Sequence, residues 1–447
     1  MGNKINKMYI IPATMILGAG ILLTACNKEN NGGKMANVTP ESVKVDKNVG
    51  KPPKDSEKML ENTINTLNNF SSDTFNELLK YNFDQNNLDS QIYSPFSYLS
   101  TLELLSNNSY YSKDNELSKY MNLNLDKFEN PNLKSENLAL LNVKSGTDKN
   151  KIKDLKNFKA VEFPKQAEKE SKDLQNRVLD EVLLEPKYEE PNLSMVLLNA
   201  TKFEGIWANK FDKSITSDED YMLMDCTSIK TKMMHSEDLT KHDSNIGYED
   251  NDVQIYRKPV STVENIKKSA GKDQVESTGD VYIINPKGLG KDINKNKQII
   301  ENISKNIEKY VNEFDEKAEI FDEIYVDMPK LDIKSNINLE KIAKKNGKKF
   351  ITDEYDLQEK TGVKDMQKIS SILQAATLKL GEEKVEAKSA TQVEMVTTSL
   401  KVNTKDLYIK ADHPHFIVIT TRNVQTNSKK LKDSIIFTAF VNNPTQK

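Results

Sequence analysis

Hydrophobic and polar positions alternate along this chain in two rhythms. From Ser56 to Asn82, apolar residues fall at Met59, Leu60, Ile64 and Leu67, then at Phe75, Leu78 and Leu79. That spacing of three and four predicts a helix. A second helix is predicted from 94-SPFSYLSTLELLS-106, where Ser94 can cap the first turn and Pro95 suits the first helical position. Residues 107–190 are polar, with helical pieces expected near 135–144 and 165–182. Then 194-SMVLLNATKFEGIW-207 is an apolar, β-branched run that predicts a buried strand. Further strands are expected near 278–285 and 324–328, and helices near 293–315 and 338–346. The end, 415-HFIVITTR-422 and 434-SIIFTAFVN-442, reads as two strands flanking a polar loop. Helices early and strands late predict a mixed α+β fold.

One stretch keeps a strict period of two: 382-EEKVEAKSATQVEMVTTS-399. Every second residue from Val385 is uncharged, giving Val385, Ala387, Ser389, Thr391, Val393, Met395 and Thr397. The residues between them are mostly polar or charged. This is a strand pattern whose uncharged face is small enough for a tightly packed sheet.

The chain has 447 residues, 36% hydrophobic and 29% charged, enough for one large or two ordinary domains. Its formal net charge of −3 gives no basis for nucleic-acid binding, which wants a clustered basic surface. The first residues follow a separate logic. Lys4 and Lys7 precede the apolar run 8-MYIIPATMILGAGILL-23, which ends in 23-LTAC-26. This is the pattern of a lipoprotein signal, residues 1–25, with Cys26 lipidated and the chain anchored outside the cytoplasm on a bacterial membrane. The alternative, an uncleaved transmembrane anchor, needs a longer run. Residues 26–56 have the Gly, Pro and charge content of a flexible tether, which leaves 57–447 as the folded domain. Only one other cysteine exists, Cys226, so with Cys26 modified no internal disulfide is expected.

Candidate chemistry is sparse. There are four histidines, no H-E-x-x-H, no Cys/His cluster and no acidic calcium loop, so no metal site and no cofactor are expected. His413 and His415 in 412-DHPH-415 are expected to serve a loop and strand start. No G-x-S-x-G elbow occurs. The glycines of 286-PKGLGK-291 lack phosphate-loop spacing and suggest a hairpin turn. An enzyme is not expected.

Several segments together resemble the serpin family from about residue 57 to the C-terminus. 94-SPFS-97 resembles its S-P-x-S motif, 199-NATKFEGIW-207 its N-x-x-x-F-x-G-x-W, and 233-MM-234 its Met pair. 329-PKLDI-333 resembles P-K-F-x-I, 411-ADHPHF-416 resembles A-D-H-P-F with one residue inserted, and 442-NNPTQK-447 is similar to a terminal V-N-P. The family's hinge, E-E-G-T-E-A-A-A-A-T, aligns without gaps on Glu382, Glu383, Lys384, Val385, Glu386, Ala387, Lys388, Ser389, Ala390 and Thr391. The resemblance implies a large central sheet A, surrounding helices and an exposed reactive-centre loop. It also implies that a target serine or cysteine protease attacks this loop. The cleaved loop then inserts as a new strand in sheet A, and the acylated protease is trapped. By family spacing the reactive bond is Thr398–Ser399, with Leu400 and Lys401 as rivals. Ser94, Ser97, Asn199 and Gln374 fall in the family's shutter region, with Gln374 where His is common. A monomer is expected.

Two separate arguments choose the same inward face. A strand entering a formed sheet must present uncharged, modest side chains there, and the alternating set from Val385 to Thr397 does so. Lys384 and Lys388 replace a Gly and a small residue of the family pattern, but both fall on the outward face, where a charged head can reach solvent. Lys384, together with Gln374 where His is common, motivates an alternative, a serpin fold that binds or adheres without inhibiting. A third reading, a solute-binding lipoprotein, requires two similar α/β lobes, and no βαβ rhythm is present.

Overall fold

The computed structural model describes residues 54–446 apart from 110–115, 124, 126–131, 184–187, 190–192, 205, 208–210, 237–245, 262–265, 270–271, 276–278, 354, 364–368, 370, 383–400, 403–404 and 422–432. Residues 54–56, expected in the tether, begin the first helix, while Cys26, the signal-like segment and the tether up to residue 53 lie outside the described residues. So does the hinge from Glu383 to Thr391, together with Thr398, Ser399 and Leu400.

In chain order, the elements that frame the site begin with helices α1 (Lys54–Asp84) and α2 (Pro95–Asn108). Strands β1 (Leu133–Asn142) and β2 (Phe158–Val161), helix α3 (Lys165–Leu179) and strand β3 (Met195–Glu204) follow. Strand β4 (Leu331–Asn338), helix α4 (Leu339–Lys345) and strand β5 (Ile372–Leu380) complete the set. The five strands form one sheet in the order β4–β5–β3–β1–β2. Within it β5 and β3 run parallel, β4 is antiparallel to β5, and β1 is antiparallel to β3.

Alternation along these strands serves two cores. Leu138, Leu140, Val196, Leu198, Ala200 and Ala375 face α3, meeting Ala167, Leu174 and Val178. Ala139, Leu141, Met195, Leu197, Ile372, Ala376 and Leu378 face the main core, which α1 and α2 share. The rest of that core lies against a nine-stranded sheet that includes Gly279–Pro286, His415–Thr421 and Ser434–Val441. A four-stranded sheet orders Leu407–Lys410, Ile324–Pro329, Ser228–His235 and Ser217–Met222. Among the described residues the sheets do not form the two similar α/β lobes that the solute-binding reading requires.

Three expectations need correction. Residues 135–144 were expected to be helical, yet Leu133–Asn142 is a strand. Its Leu, Ala, Glu and Lys residues favour helix locally, but pairing along β3 and, from Leu138 on, burial on both faces prevail. The helix expected over 293–315 is three pieces, Ile293–Lys305, Ile307–Asn312 and Phe314–Lys317. Asn306 and Glu313 break it with ψ near zero, while the buried stripe Ile300, Ile303, Ile307, Val311 and Phe314 runs straight through both bends. That continuity hides the breaks from any periodicity argument. Finally, 286–291 is no hairpin turn. It joins a strand to a helix, with Gly288 at φ 78° and Asp292 capping the amides of Asn294 and Lys295.

Candidate functional site

The site is the seam between β3 and β5. These strands pair directly, in register from Ile372 against Leu197 to Lys379 against Glu204. Where Gln374 stands opposite Asn199, the seam carries a buried polar patch instead of an apolar one. Helix α2 packs its N-terminus against this patch. Ser94 takes the extended conformation that an N-cap requires, and its Oγ accepts the Ser97 amide, with Pro95 in the first helical turn.

The predicted residues Ser94, Ser97, Asn199 and Gln374 are therefore brought together. Gln374 Oε1 accepts the Ser94 amide at 2.9 Å, and its Nε2 donates to the Ser94 carbonyl at 3.0 Å. This reciprocal pair ties β5 to the start of α2. Ser94 Oγ also donates to the Ile436 carbonyl at 2.9 Å, which ties the same point to the nine-stranded sheet. Ser97 Oγ lies 2.5 Å from Thr201 Oγ1 and 2.6 Å from Ser135 Oγ. Asn199 completes the array, accepting from Thr201 Oγ1 at 2.9 Å and donating to Asn137 Oδ1 at 2.9 Å. Each member is satisfied by another, so the network holds the seam shut without stranding a polar group. Sequence reasoning missed Ser135, Asn137 and Thr201. Thr201 stood in the 199-NATKF-203 motif, whereas Ser135 and Asn137 lay in the tract read as helical.

The head of the seam has its own lock. After β5 the chain reaches Gly381, whose carbonyl accepts the Trp207 indole N–H at 2.8 Å. Glu382 is buried, and its carboxylate meets the Lys330 ammonium at 2.7 Å. Burial alone would raise the Glu382 carboxyl, but hydrogen bonding to Lys330 and to the backbone outweighs it and holds the group below its ordinary value. The Lys258 ammonium lies 5.9 Å from the Trp207 ring centre and 5.2 Å from that of Phe211. Of the predicted hinge, only Glu382 is described, and it sits where the chain leaves the sheet. Lys401 starts a two-residue strand parallel to Glu319–Ile320, which marks where the chain returns.

On the far face α3 lies across β1, β3 and β5, covering the seam. Lys202 at the β3 end pairs with Asp180, just past that helix, at 2.7 Å. Thr377 on β5 is buried, and its hydroxyl has no hydrogen-bond partner among the described residues. His413 occupies the loop and His415 the buried start of the next strand, as expected. Among the described residues no cluster of three metal-binding side chains occurs. None of the described helices is long and apolar enough to cross a membrane. Cys226 is a free thiol, its Sγ 3.2 Å from the Gly290 carbonyl.

Known proteins share this fold. Residues 173–444 match the family model for Serpin (serine protease inhibitor). Serine proteinase inhibitor 2.4 of Apodemus sylvaticus is 26% identical over 253 residues, covering 56% of this chain and 52% of that protein. Serine protease inhibitor A3N of Rattus norvegicus is 26% identical over 229 residues, 51% of this chain and 48% of that protein. The chain thus spans about half the length of the curated relatives it matches. Among solved structures, mouse protein-Z dependent protease inhibitor gives a TM-score of 0.61 at 16% identity, covering 87% of this chain and 100% of that one. The thermophilic serpin tengpin, in its native state, gives 0.59 at 16% identity, covering 88% and 96%. These likenesses carry the fold, and the matched model carries the family: this chain belongs to the serpins.

Proposed function

We propose that this chain inhibits a serine or cysteine endopeptidase as a suicide substrate, held on a bacterial membrane by lipid at Cys26. The observation that carries the reading is the direct parallel pairing of β3 and β5 beside the point where the chain leaves β5. A segment turning back after Gly381 runs antiparallel to β5. Because β3 is parallel to β5, the same segment is antiparallel to β3 as well. One inserted strand would therefore replace a parallel ladder by two antiparallel ones, the better-paired kind. The inward set from Val385 to Thr397 is uncharged and fits such a slot.

The chemistry is the protease's own. Its serine or cysteine attacks the Thr398 carbonyl carbon, the Thr398–Ser399 bond breaks, and the Ser399 amine leaves with a proton. Thr398 is then held as an ester or thioester. Insertion of the freed loop carries that acyl group away from the head of the sheet, and strand addition supplies the driving force. For this the Lys330–Glu382 pair and the Trp207–Gly381 bond must open, and α3 must lift from the seam.

Lys384 and Lys388 favour a second reading, in which the loop inserts slowly and the chain acts as a substrate or a non-inhibitory binding module. Mixing the protein with a panel of endopeptidases separates the two. Inhibition yields a covalent complex that survives boiling in SDS. Clean loop cleavage without such a complex refutes the leading reading. Cleavage should also raise the unfolding temperature sharply, and an unchanged temperature would mean that the sheet does not accept the loop.

A further inference from the structure

A cavity of about 300 Å³ lies away from the seam, bounded by one face of α1, by α2, by α4 and by the segments around Tyr120 and Phe350. That volume is at the lower end of the range for small-molecule sites. Its walls are aromatic and aliphatic. Phe70 sets its ring 5.3 Å from Tyr98 and 5.5 Å from Tyr120, both in tilted or edge contacts, and Ile342 and Ala343 also line the cavity.

The polar groups that share this lining are unevenly satisfied. Thr74 is already engaged, bonding the Phe70 carbonyl and the Tyr93 hydroxyl. Glu77 is paired with Lys348 at 2.7 Å, and Lys119 with Glu116 at 3.3 Å. Thr66 and Asn69 also line the cavity, and three further groups are placed to meet a ligand. Tyr98 and Tyr120, only 3% and 5% exposed, have hydroxyls without a hydrogen-bond partner among the described residues. Asp73 stands exposed at the rim with no ion-pair partner among them. Neither hydroxyl oxygen is sealed from solvent, so both open into the cavity and are free to meet an occupant. Burial raises both well above the ordinary phenol value, which keeps their protons available for donation.

We propose that this cavity binds a small, flat aromatic molecule bearing a protonated amine. The ring stacks among Phe70, Tyr98 and Tyr120, a polar edge meets the two phenols, and the ammonium reaches Asp73. A cation already rests on this aromatic wall: the Lys119 ammonium lies 4.9 Å from the Tyr120 ring centre. An anionic head would instead meet the unpaired Asp73 carboxylate.

Calorimetric titration of the full chain with tryptamine, indole and indole-3-acetate tests this. Tryptamine should bind saturably at one site, indole about threefold to fivefold more weakly, as an exposed ion pair allows, and indole-3-acetate more weakly still. Asp73→Asn should bring tryptamine down to the level of indole. Ala343→Met, which fills the cavity, should abolish binding. Tyr98→Phe adds no volume and should weaken binding even if the Ala343 variant fails to fold. Absence of saturable tryptamine binding, equal affinity for all three probes, or binding that survives these substitutions unchanged would overturn the proposal.

Discussion

Gln374→Met removes the link between β5 and α2 while keeping the length of the side chain. Gln374 is fully buried, and its two bonds to Ser94 are of unequal consequence. The Ser94 carbonyl also accepts the Tyr98 amide at 3.1 Å, so it keeps a partner. The Ser94 amide keeps none. The cost is then one stranded buried donor, about 1–3 kcal/mol, plus one ordinary lost bond of about 0.5–1.5 kcal/mol. A total near 3 kcal/mol can be converted to temperature. Unfolding entropy of ~2.1 cal/mol/K per residue over roughly 390 residues gives ~0.8 kcal/mol per degree. Differential scanning calorimetry should therefore show the midpoint falling by about 3–4 °C. Gln374→Ala should fall further, because a cavity is added to the lost bonds. If the Met variant unfolds within about 0.5 °C of the parent, the Gln374–Ser94 pair does not hold the seam and the argument fails.

Three further outcomes follow from the same reasoning. His415 is fully buried, with Nε2 unpartnered and Nδ1 2.9 Å from the His413 carbonyl, and burial pushes its pKa down to about 4. The unfolded chain takes up that proton first, so the stability it supports is intact above about pH 6.5 and is lost as pH falls toward 4, roughly 3 kcal/mol in all. Urea midpoints across this interval should flatten in His415→Gln, and an unaltered slope would refute the assignment. Trp207→Phe removes the bond to the Gly381 carbonyl at the head of the seam and should cost about 1 kcal/mol, read as a fall of about 1 °C; an unchanged midpoint counts against the lock. Thr391→Arg puts a charge on the inward face of the loop, so SDS-stable complex should vanish while protease cleavage persists. Complex formed at the parental yield would show that the inward face is misassigned.

The sequence determined more of the site than of the fold around it. Ser94 and Pro95 announced the start of α2 because capping and the first-turn proline act within four residues. The run from Met195 announced a buried strand because its apolar residues are contiguous and β-branched. Gln374 and Asn199 could be named from motifs, yet nothing local showed that they would stand opposite each other, since they are 175 positions apart. Only the parallel pairing of β5 with β3 brings them onto one face, and only α2 packed beneath gives Gln374 the Ser94 amide and carbonyl. The tract around Ser135 and Asn137 was misread for the same reason. Its helix-forming residues were overruled by pairing along β3 and, from Leu138 on, by burial on both faces of the sheet, conditions that exist only once the other strands are in place. Likewise Trp207, Lys330 and Glu382 come from three distant segments, and the lock they form at the head of the seam is a product of sheet order. Local chemistry fixed which residues could cap, alternate or insert. Tertiary packing decided which of them meet, because the free energy of those contacts comes from burial against partners that the chain reaches only by folding.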